Sequence, residues 1–374
     1  MSFVDTFNRL PDEKSPLLRR FEHLLESDVP LESLAADSQR LTRQYFGKTM
    51  RLFAPLYVSN ECVNVCKYCG FSRNNPIFRV TLSLDEVERE ARHLVTEGFR
   101  NILIVAGEHP KFVSNNYLRD CTARLRDIVP SIALEVGPME TEEYLPIVEA
   151  GAEGLVVYQE TYHRETYAEM HSSGPKKHFD WRLECPERAY EAGFRRIGIG
   201  ALFGLWDWKY EALALAAHTE YLLKHCWKAS LTLSFPRLKP AAGDFDPKHP
   251  ISDPDFVRML CAFRICFPQV GLVLSTREPK HLRDGLFPLG VTLISAGAHT
   301  EPGGYTGAGS ERVERKQKGR KVEGELNGAC GSETATEQFT ISDQRSAQEI
   351  AAHLKSVGLD PVWKDWDAEL CRHE

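Results

Sequence analysis

Three cysteines stand close together in the first third of the chain. Cys62, Cys66 and Cys69 form a C-x3-C-x2-C pattern. Three thiolates at this spacing can surround one inorganic centre, and soft sulfur ligands suit iron–sulfur clusters and zinc. A structural zinc site normally takes four protein ligands, and no second cysteine or histidine pair follows at a suitable spacing. The pattern therefore favours an iron–sulfur cluster, with a zinc ion or three structural thiols as the alternatives.

The other cysteines show no such grouping. The first residues, Met1 to Asp5, contain no basic stretch followed by an apolar run, and no window approaches the roughly 18 apolar residues of a membrane span. We therefore expect a cytosolic protein with no membrane partner. In a reducing compartment scattered cysteines are mostly buried small apolar residues, and we assign that role to seven of them. These are Cys121, Cys185, Cys226, Cys261, Cys266, Cys330 and Cys371.

The charge balance argues against one class of partner. The 374 residues include 46 Lys and Arg against 53 Asp and Glu, which gives a formal net charge of −7. Nucleic acids and other large polyanions are therefore not expected as partners. With 42% hydrophobic and 26% charged residues, the chain has the composition of an ordinary globular protein with a substantial core.

The cysteines follow the first of about eight strand-then-helix units. Such a repeat implies parallel strands covered by helices, and a closed (β/α)8 barrel fits it best, with a doubly wound open sheet as the alternative. In a barrel the functional groups lie just after each strand, at one mouth. The strands are predicted at 56–58, 102–105, 132–136, 154–158, 196–199, 231–235, 272–275 and 291–295. The helices are predicted at 84–97, 117–128, 141–150, 180–192, 208–225, 253–267, 279–287 and 347–357, with two more at 17–25 and 31–46.

The repeat stops between Tyr305 and Thr340. Gly, Ser, Lys, Arg and Glu dominate this stretch, which is typical of a mobile insertion. Residues 311–321 are locally basic, and a solvated loop is favoured there over a docking patch.

The cysteine spacing, with Tyr68 directly before the last cysteine, resembles the radical SAM superfamily. That resemblance implies a [4Fe–4S] cluster with one open iron, which S-adenosylmethionine (SAM) chelates through its amine and carboxylate. It also implies that one electron cleaves SAM to a 5′-deoxyadenosyl radical. The expected fold is then a TIM-type radical SAM barrel with an N-terminal helical extension and a short C-terminal tail.

Further stretches resemble the aromatic amino-acid lyases of this superfamily, and most closely those that make 2-iminoacetate for thiamine biosynthesis. The similarity runs from Leu41 to Asp367 and includes residues 107–109, 157–163, 181–184, 234–238, 274–278 and 302–305. The family implies reductive cleavage of the Cα–Cβ bond of L-tyrosine to 2-iminoacetate (dehydroglycine) and p-cresol. A lyase acting on tryptophan and a non-catalytic scaffold that bears a cluster or a zinc ion are the alternatives.

Several residues at the predicted mouth are assigned to the cofactor by this resemblance. Gly107 and Glu108 resemble the turn whose carbonyls face the SAM ammonium, and Tyr68 belongs to the cysteine motif. Glu160 is a candidate for the ribose hydroxyls or an ammonium, with a solvated or helix-capping carboxylate as its alternative. Arg182 can pair with the SAM carboxylate, although a surface ion pair is almost as good an interpretation.

Other mouth residues are assigned to the adenine and to the substrate. Gly198 and Gly200 let a planar adenine approach the backbone, or they serve tight strand–helix packing. By position in related lyases, Arg277 and Ser295 hold the substrate carboxylate. A buried phenol also needs a polar partner, and His163 and Glu135 are candidates that the sequence leaves unranked.

The family also implies partners and one contrast. We expect a thiazole synthase subunit of the ThiG type, docked through the N-terminal helices, and a flavodoxin-type electron donor. The related enzyme that makes hydrogenase cofactor ligands carries a second cluster on further C-terminal cysteines. Only Cys330 and Cys371 follow the predicted barrel here, which argues against that role.

Four parts are predicted along the chain. Residues 1–50 are a helical extension, 51–300 the barrel, 301–340 a flexible insertion, and 341–374 a C-terminal helix and tail that close the barrel.

Overall fold

Eight parallel strands close into a barrel. The computed structural model describes residues 2–10, 12–26, 28–243, 245–322 and 335–363. The barrel closes because its last strand pairs with its first, with Arg51 opposite Leu293 and Phe53 opposite Ser295. Neighbouring barrel strands follow chain order, as a strand–helix repeat requires. They are β1 (Thr49–Ser59), β4 (Asn101–Ala106), β5 (Ser131–Glu135), β6 (Gly154–Glu160), β8 (Arg196–Ala201), β9 (Ser230–Ser234), β10 (Gly271–Leu274) and β11 (Leu293–Ser295).

Helices cover the outside of the barrel and bury apolar side chains against it. The first of them begins at a capping box, because the Ser83 hydroxyl accepts the Glu86 backbone N–H and the Glu86 carboxylate accepts the Ser83 N–H. Its residues Val87, Ala91 and Leu94 are buried against the strands. The covering helices are α4 (Leu84–Thr96), α5 (Asn115–Arg126), α6 (Thr141–Glu149), α9 (Cys185–Ala192), α10 (Trp208–His225), α11 (Asp253–Cys266), α12 (Lys280–Leu286) and α13 (Ala347–Ser356).

Three N-terminal helices pack on this outer layer. They are α1 (Phe3–Arg9), α2 (Pro16–Glu26) and α3 (Leu31–Phe46). Phe3 is fully buried and stacks on His218 of α10 at 4.1 Å between ring centroids, and Phe21 contacts Phe263 of α11 at 4.6 Å. These helices therefore share the core of the barrel. No helix among the described residues is long and apolar enough to cross a membrane.

Short elements surround the mouth of the barrel. Two short helices, α7 (Arg164–Met170) and α8 (Phe179–Leu183), follow β6. The hairpin of β12 (Glu314–Gln317) and β13 (Arg320–Lys321) extends β3 (Ile77–Arg79) into a three-stranded sheet. The remaining strands are β2 (Val65–Cys66), which pairs with β7 (His171–Ser173), and β14 (Asp360–Val362), which pairs with the first residues of β1.

The basic segment differs from the structureless loop that its composition suggests. Residues 314–317 form a strand because the edge of β3 offers them backbone partners, and residues 320–321 then pair with residues 316–317. Mobility of this segment stays a prediction. Residues 323–334 and 364–374 lie outside the described residues, and Cys330, Cys371 and the predicted tail from 364 to 374 lie with them.

Candidate cofactor and active site

The cysteine loop begins where β1 ends. Cys62, Cys66 and Cys69 form no disulfide and line one cavity at the mouth of the barrel. Among the described residues, no three His, Cys, Asp or Glu side chains are arranged to hold a single metal ion. Each cysteine of an iron–sulfur cluster binds a different iron, so its ligands stand further apart than those around one ion. The donor set therefore fits a cluster better than a zinc ion.

A buried guanidinium grips both sides of the cysteine loop. Arg79 is 2% exposed and donates to the carbonyl oxygen of Asn60, which precedes the cysteines. It also donates to the carbonyls of Phe71, at 3.1 Å, and Ser72, at 2.7 Å, which follow them. Three charge-assisted hydrogen bonds from one rigid group fix the two ends of the loop relative to each other.

Gly107 and Glu108 brace the loop from β4. A Cβ at Gly107 would lie 2.3 Å from the Glu61 carbonyl oxygen, so only glycine lets the two backbones come this close. The Glu108 carboxylate accepts a 2.7 Å hydrogen bond from the Asn64 side chain inside the loop. Gly137 leaves room for that carboxylate, because a Cβ there would lie 2.7 Å from the Glu108 Cδ. Gly107 and Glu108 thus line the cavity and position the cysteines.

The end of β6 supplies a buried charged trio. The Glu160 carboxylate pairs with the Lys176 ammonium at 2.6 Å and lies 3.6 Å from the Arg182 guanidinium. Arg182 also donates to the Tyr158 carbonyl at 2.6 Å. All three side chains line the cavity of the cysteines. Burial alone would raise the pKa of Glu160, but Lys176 and Arg182 outweigh it and lower that pKa.

The trio contains two cations and one carboxylate, and the Glu108 and Glu135 carboxyl groups line the same cavity. The planar Arg182 guanidinium can pair with a carboxylate of a bound ligand. Lys176 carries no recognisable motif in the sequence, so sequence reasoning missed it.

Glu160 has a left-handed backbone, which is strained for a residue with a side chain. Its φ is +71°, and Lys318 is the only other non-glycine residue with positive φ among the described residues. The next residues are held by Glu211 of α10, which is fully buried. The Glu211 carboxylate accepts the Thr161 hydroxyl and, at 2.7 Å, the Tyr162 backbone N–H. Glu211 thereby fixes the turn that aims Glu160 into the cavity.

Tyr68 points away from the lining of the cavity. Its hydroxyl lies 2.8 Å from His171 Nε2, and its ring meets Phe245 edge-on. His171 Nδ1 is 2.8 Å from the Tyr167 carbonyl and donates to it, so Nε2 accepts from the Tyr68 hydroxyl. Burial, reinforced by Lys176, lowers the pKa of His171 to about 3 and keeps this imidazole neutral. Contact of Tyr68 with a cofactor stays a prediction.

The two glycines of β8 make room for neighbouring strands. A Cβ at Gly198 would lie 2.9 Å from Val156 Cγ2 and 3.0 Å from Thr232 Oγ1. A Cβ at Gly200 would lie 2.5 Å from the Ser234 carbonyl oxygen and 2.8 Å from the Tyr158 ring. Neither lines the cavity of the cysteines. Close strand packing explains both glycines, and their contact with adenine stays a prediction.

A second cavity adjoins the first inside the barrel. Arg277 and Ser295 line it together, as the sequence predicted for a common site. Glu135 and Tyr158 line both cavities and form the shared wall. The Arg277 guanidinium stacks on the Phe339 ring at 3.3 Å. Burial, only partly offset by Arg277, raises the pKa of Glu135 to about 7.

The structure separates the two candidates for the phenol partner. Glu135 faces both cavities. His163 caps α7 and stacks on Trp206 at 3.9 Å, in an outer groove that Phe7 and Arg164 also line. His163 is therefore not a residue of the barrel interior.

Residues 335–340 close the site from the side of the insertion. The Gly70 N–H donates to the Gln338 carbonyl at 3.2 Å, and the Tyr57 hydroxyl donates to the Gln338 side-chain oxygen at 2.8 Å. The Gln338 side chain also reaches within 4.0 Å of Cys69 Sγ. Sequence reasoning missed Gln338, Tyr57 and Asn64, since lone amides and phenols carry no pattern.

Comparison with known proteins assigns most of the chain. Residues 56–215 match the model of the radical SAM superfamily, and residues 234–360 match the Biotin and Thiamin Synthesis associated domain. The chain is 41% identical to the 2-iminoacetate synthase of Escherichia coli over 343 residues, which covers 91% of this chain and 85% of that protein. It is 40% identical to the 2-iminoacetate synthase of Salmonella typhimurium over the same share of both proteins.

Solved structures agree on the fold. The hydrogenase maturase HydG from Carboxydothermus hydrogenoformans matches with a TM-score of 0.81 and 35% identity, over 97% of this chain and 79% of that one. Methylornithine synthase matches with a TM-score of 0.71 at 19% identity, over 97% and 99%, and supports the fold alone.

A methyl group at position 107 should disrupt the cysteine loop. In Gly107→Ala the added Cβ meets the Glu61 carbonyl oxygen, so the loop must shift. We expect the iron bound per chain after anaerobic reconstitution to fall below half of the parent value. Gly285→Ala is the matched control, because a Cβ there meets nothing within 4 Å. Full iron binding by Gly107→Ala would contradict the bracing role.

Loss of the Glu211 carboxylate should weaken SAM binding through Glu160. In Glu211→Leu the buried Tyr162 N–H loses its acceptor, which costs about 1–3 kcal/mol and frees the strained turn. We expect the dissociation constant for SAM, measured by equilibrium dialysis, to rise about tenfold. Glu211→Gln can still accept from Tyr162 and should restore most of the affinity.

Glu187→Leu tests whether the loss of another hydrogen-bonded glutamate, here a half-buried one, would do the same. Glu187 binds the Tyr221 hydroxyl at 2.6 Å on the outer layer of the barrel. Its loss should leave the SAM dissociation constant unchanged. Equal effects of the two leucine variants would argue against the role of Glu211.

Proposed function

The chain belongs to the 2-iminoacetate synthases of the radical SAM superfamily, and on this premise we propose how its residues cleave L-tyrosine between Cα and Cβ. The conversion consumes L-tyrosine, SAM, two electrons and one proton. It yields 2-iminoacetate, p-cresol, 5′-deoxyadenosine and methionine, and the 2-iminoacetate serves thiazole formation in thiamine biosynthesis. The observation that carries this proposal is the pair of adjoining cavities, one lined by three cysteines and the other by Arg277 and Ser295.

Cys62, Cys66 and Cys69 would hold a [4Fe–4S] cluster. When bound, the cluster and SAM supply a 5′-deoxyadenosyl radical that removes one hydrogen atom from the substrate. Lys176 and Arg182, which both line this cavity, would bind the SAM carboxylate. Glu160 keeps both cations in place and can accept from the SAM ammonium or a ribose hydroxyl.

Arg277 and Ser295 would orient the amino acid. The guanidinium binds its carboxylate, and the Ser295 hydroxyl lies on the same cavity wall. Held there, the substrate lies beside Glu135 and Tyr158, with its amino end next to the cofactor cavity. Fixing one hydrogen close to the radical and excluding water are the main demands on such a site.

We propose that Glu135 forms hydrogen bonds with the polar groups of the substrate inside the barrel. With its pKa raised to about 7 by burial, its carboxyl can hold a proton near neutral pH and can accept or donate a hydrogen bond.

We propose two protein partners from the family. A ThiG-like thiazole synthase subunit would receive the 2-iminoacetate, and a flavodoxin-type donor would supply the electrons. The N-terminal helices are a proposed contact for the first of them. Because Phe3 and Phe7 are buried in the core, surface substitutions test this contact better than deletion of the helices.

Product analysis tests the function directly. The reconstituted chain, incubated anaerobically with SAM, dithionite and L-tyrosine, should form p-cresol and 5′-deoxyadenosine, detected by liquid chromatography with mass spectrometry. Cys66→Ala should form neither. The tryptophan alternative is tested by adding L-tryptophan at the same concentration as L-tyrosine. Formation of p-cresol from this mixture would reject that alternative. Absence of p-cresol from a sample with full iron content would overturn the proposal.

Substitution of Arg277 should separate substrate binding from cofactor binding. Arg277→Met removes a charged donor pair worth about 1.5–3 kcal/mol, so KM for L-tyrosine should rise roughly 10- to 100-fold. Arg277→Lys keeps the positive charge but lacks the planar guanidinium, so its KM for L-tyrosine should lie between those of the parent and Arg277→Met. The SAM dissociation constant should stay unchanged in both variants. An unchanged KM would remove Arg277 from the substrate site.

A further inference from the structure

The basic segment that follows the barrel lies against the cysteine loop. Its hairpin, β12 and β13, pairs with β3 so that Lys316 stands opposite Ile77. The Lys318 N–H donates to the Arg73 carbonyl at 2.8 Å, and Arg73 is the fourth residue after Cys69. The hairpin is therefore attached to the chain that leaves the cysteines.

A second contact joins the hairpin to the start of the loop. The Lys316 ammonium pairs with Glu61, the residue before Cys62, and lies 4.7 Å from the Phe112 ring. Both ends of the cysteine loop thus touch the hairpin.

The charge of the hairpin is opposite to that of the whole chain. Residues 314–321 include five Lys or Arg and one Glu, a net charge of +4 in a chain of net charge −7. The single carboxylate, Glu314, pairs with Lys316 at 3.5 Å and Lys321 at 3.3 Å. Arg312 pairs with Glu86.

Three cations of the hairpin are left over, and together with Arg73 they form a surface that we call the basic surface. Arg73, Arg315, Lys318 and Arg320 make no ion pair with any other described residue. Arg73, Lys318 and Arg320 are exposed, and Arg315 is half-buried. A Cβ at Gly319 would lie 3.4 Å from Arg73 Nε, so the Arg73 side chain belongs to the same surface as the hairpin turn.

We propose that the basic surface docks an acidic one-electron carrier protein, which delivers electrons to the cluster held by Cys62, Cys66 and Cys69. This inference rests on the proposed function, because only the radical reaction needs electrons from outside. Each docking transfers one electron, so that the carrier is oxidised by one electron and the cluster reduced by one. Two dockings supply one turnover.

Charge complementarity selects this partner over others. Four unpaired cations beside a redox centre attract an anionic protein surface and raise its association rate by about 10- to 1,000-fold. The effect is screened beyond about 8 Å at physiological salt, so the attraction acts on the docking surface itself. A chain of net charge −7 would repel an acidic carrier elsewhere, which directs it to this face.

The test compares reduction by a protein with reduction by a small molecule. The full chain carrying its cluster is mixed anaerobically with reduced flavodoxin as the acidic carrier, and bleaching of the cluster absorbance is followed by stopped flow. In Arg315→Glu/Lys318→Glu/Arg320→Glu we expect the rate with flavodoxin to fall at least about tenfold. The rate with dithionite should stay within about twofold of the parent, since it needs no docking surface.

A matched variant controls for overall charge. Lys224→Glu/Lys228→Glu/Lys355→Glu changes the net charge equally at exposed positions far along the chain from the cysteines. It should be reduced by flavodoxin as fast as the parent. If the first triple variant binds less iron than the parent, Arg315→Ser/Arg320→Ser removes two charges and should lower the flavodoxin rate at least about threefold.

The outcomes separate the two proposals. Equal flavodoxin rates for the parent and the hairpin variants overturn the docking surface, and so do equal losses in the hairpin and control triple variants. If dithionite supports p-cresol formation in both, the proposed function stands whatever the flavodoxin result. If dithionite reduces the parent cluster without forming p-cresol, the proposed function fails by itself.

Discussion

The grip of Arg79 on the backbone of the cysteine loop is the interaction on which the site depends. Three thiols must stand at fixed positions, yet only Val65 and Cys66 of the loop belong to a strand. One buried guanidinium donates to carbonyls on both sides of the loop, so it replaces the ladder that a sheet would supply. Since guanidinium donors form a rigid fork, the spacing of the two loop ends is fixed together with their direction.

The strained backbone of Glu160 is likewise held in place by buried polar and charged side chains. A residue with a side chain adopts a left-handed backbone only where its surroundings hold it. Here Glu211 accepts the Tyr162 N–H and so holds the turn. Lys176 and Arg182 lie beside the Glu160 carboxylate and hold its position. The position of the Glu160 carboxylate therefore depends on the packing of α10, which carries Glu211. The two cations then lie at fixed positions beside the thiols, where a guanidinium can bind a carboxylate.

The sequence predicted the barrel and the cysteine ligands better than the walls of the cavities. Eight strand-then-helix units and the Ser83 capping box follow local patterns, and the structure has both. The helix predicted over 180–192 is two helices that break at Glu184, because Pro186 has no N–H to donate back to Arg182 and is tolerated only in the first turn of the second helix. Lys176 reaches Glu160 from a turn 16 residues away, and Gln338 reaches Tyr57 across 281 residues. Such contacts form only in the closed barrel, so no residue spacing in the sequence predicts them.

The shared wall of Glu135 and Tyr158 explains why one fold serves a radical reaction without losing the radical. A cofactor cavity open to solvent would let the radical take hydrogen from water or buffer, whereas a sealed one would exclude the amino acid. Here the cavity of the cysteines adjoins the space of Arg277 and Ser295 at the wall of Glu135 and Tyr158, and residues 335–340 pack against Gly70 and Tyr57 beside it. On the proposed function, an amino acid bound by Arg277 would fill the inner cavity and cover that side of the cofactor cavity. Substrate binding and the exclusion of water would then depend on the same contacts.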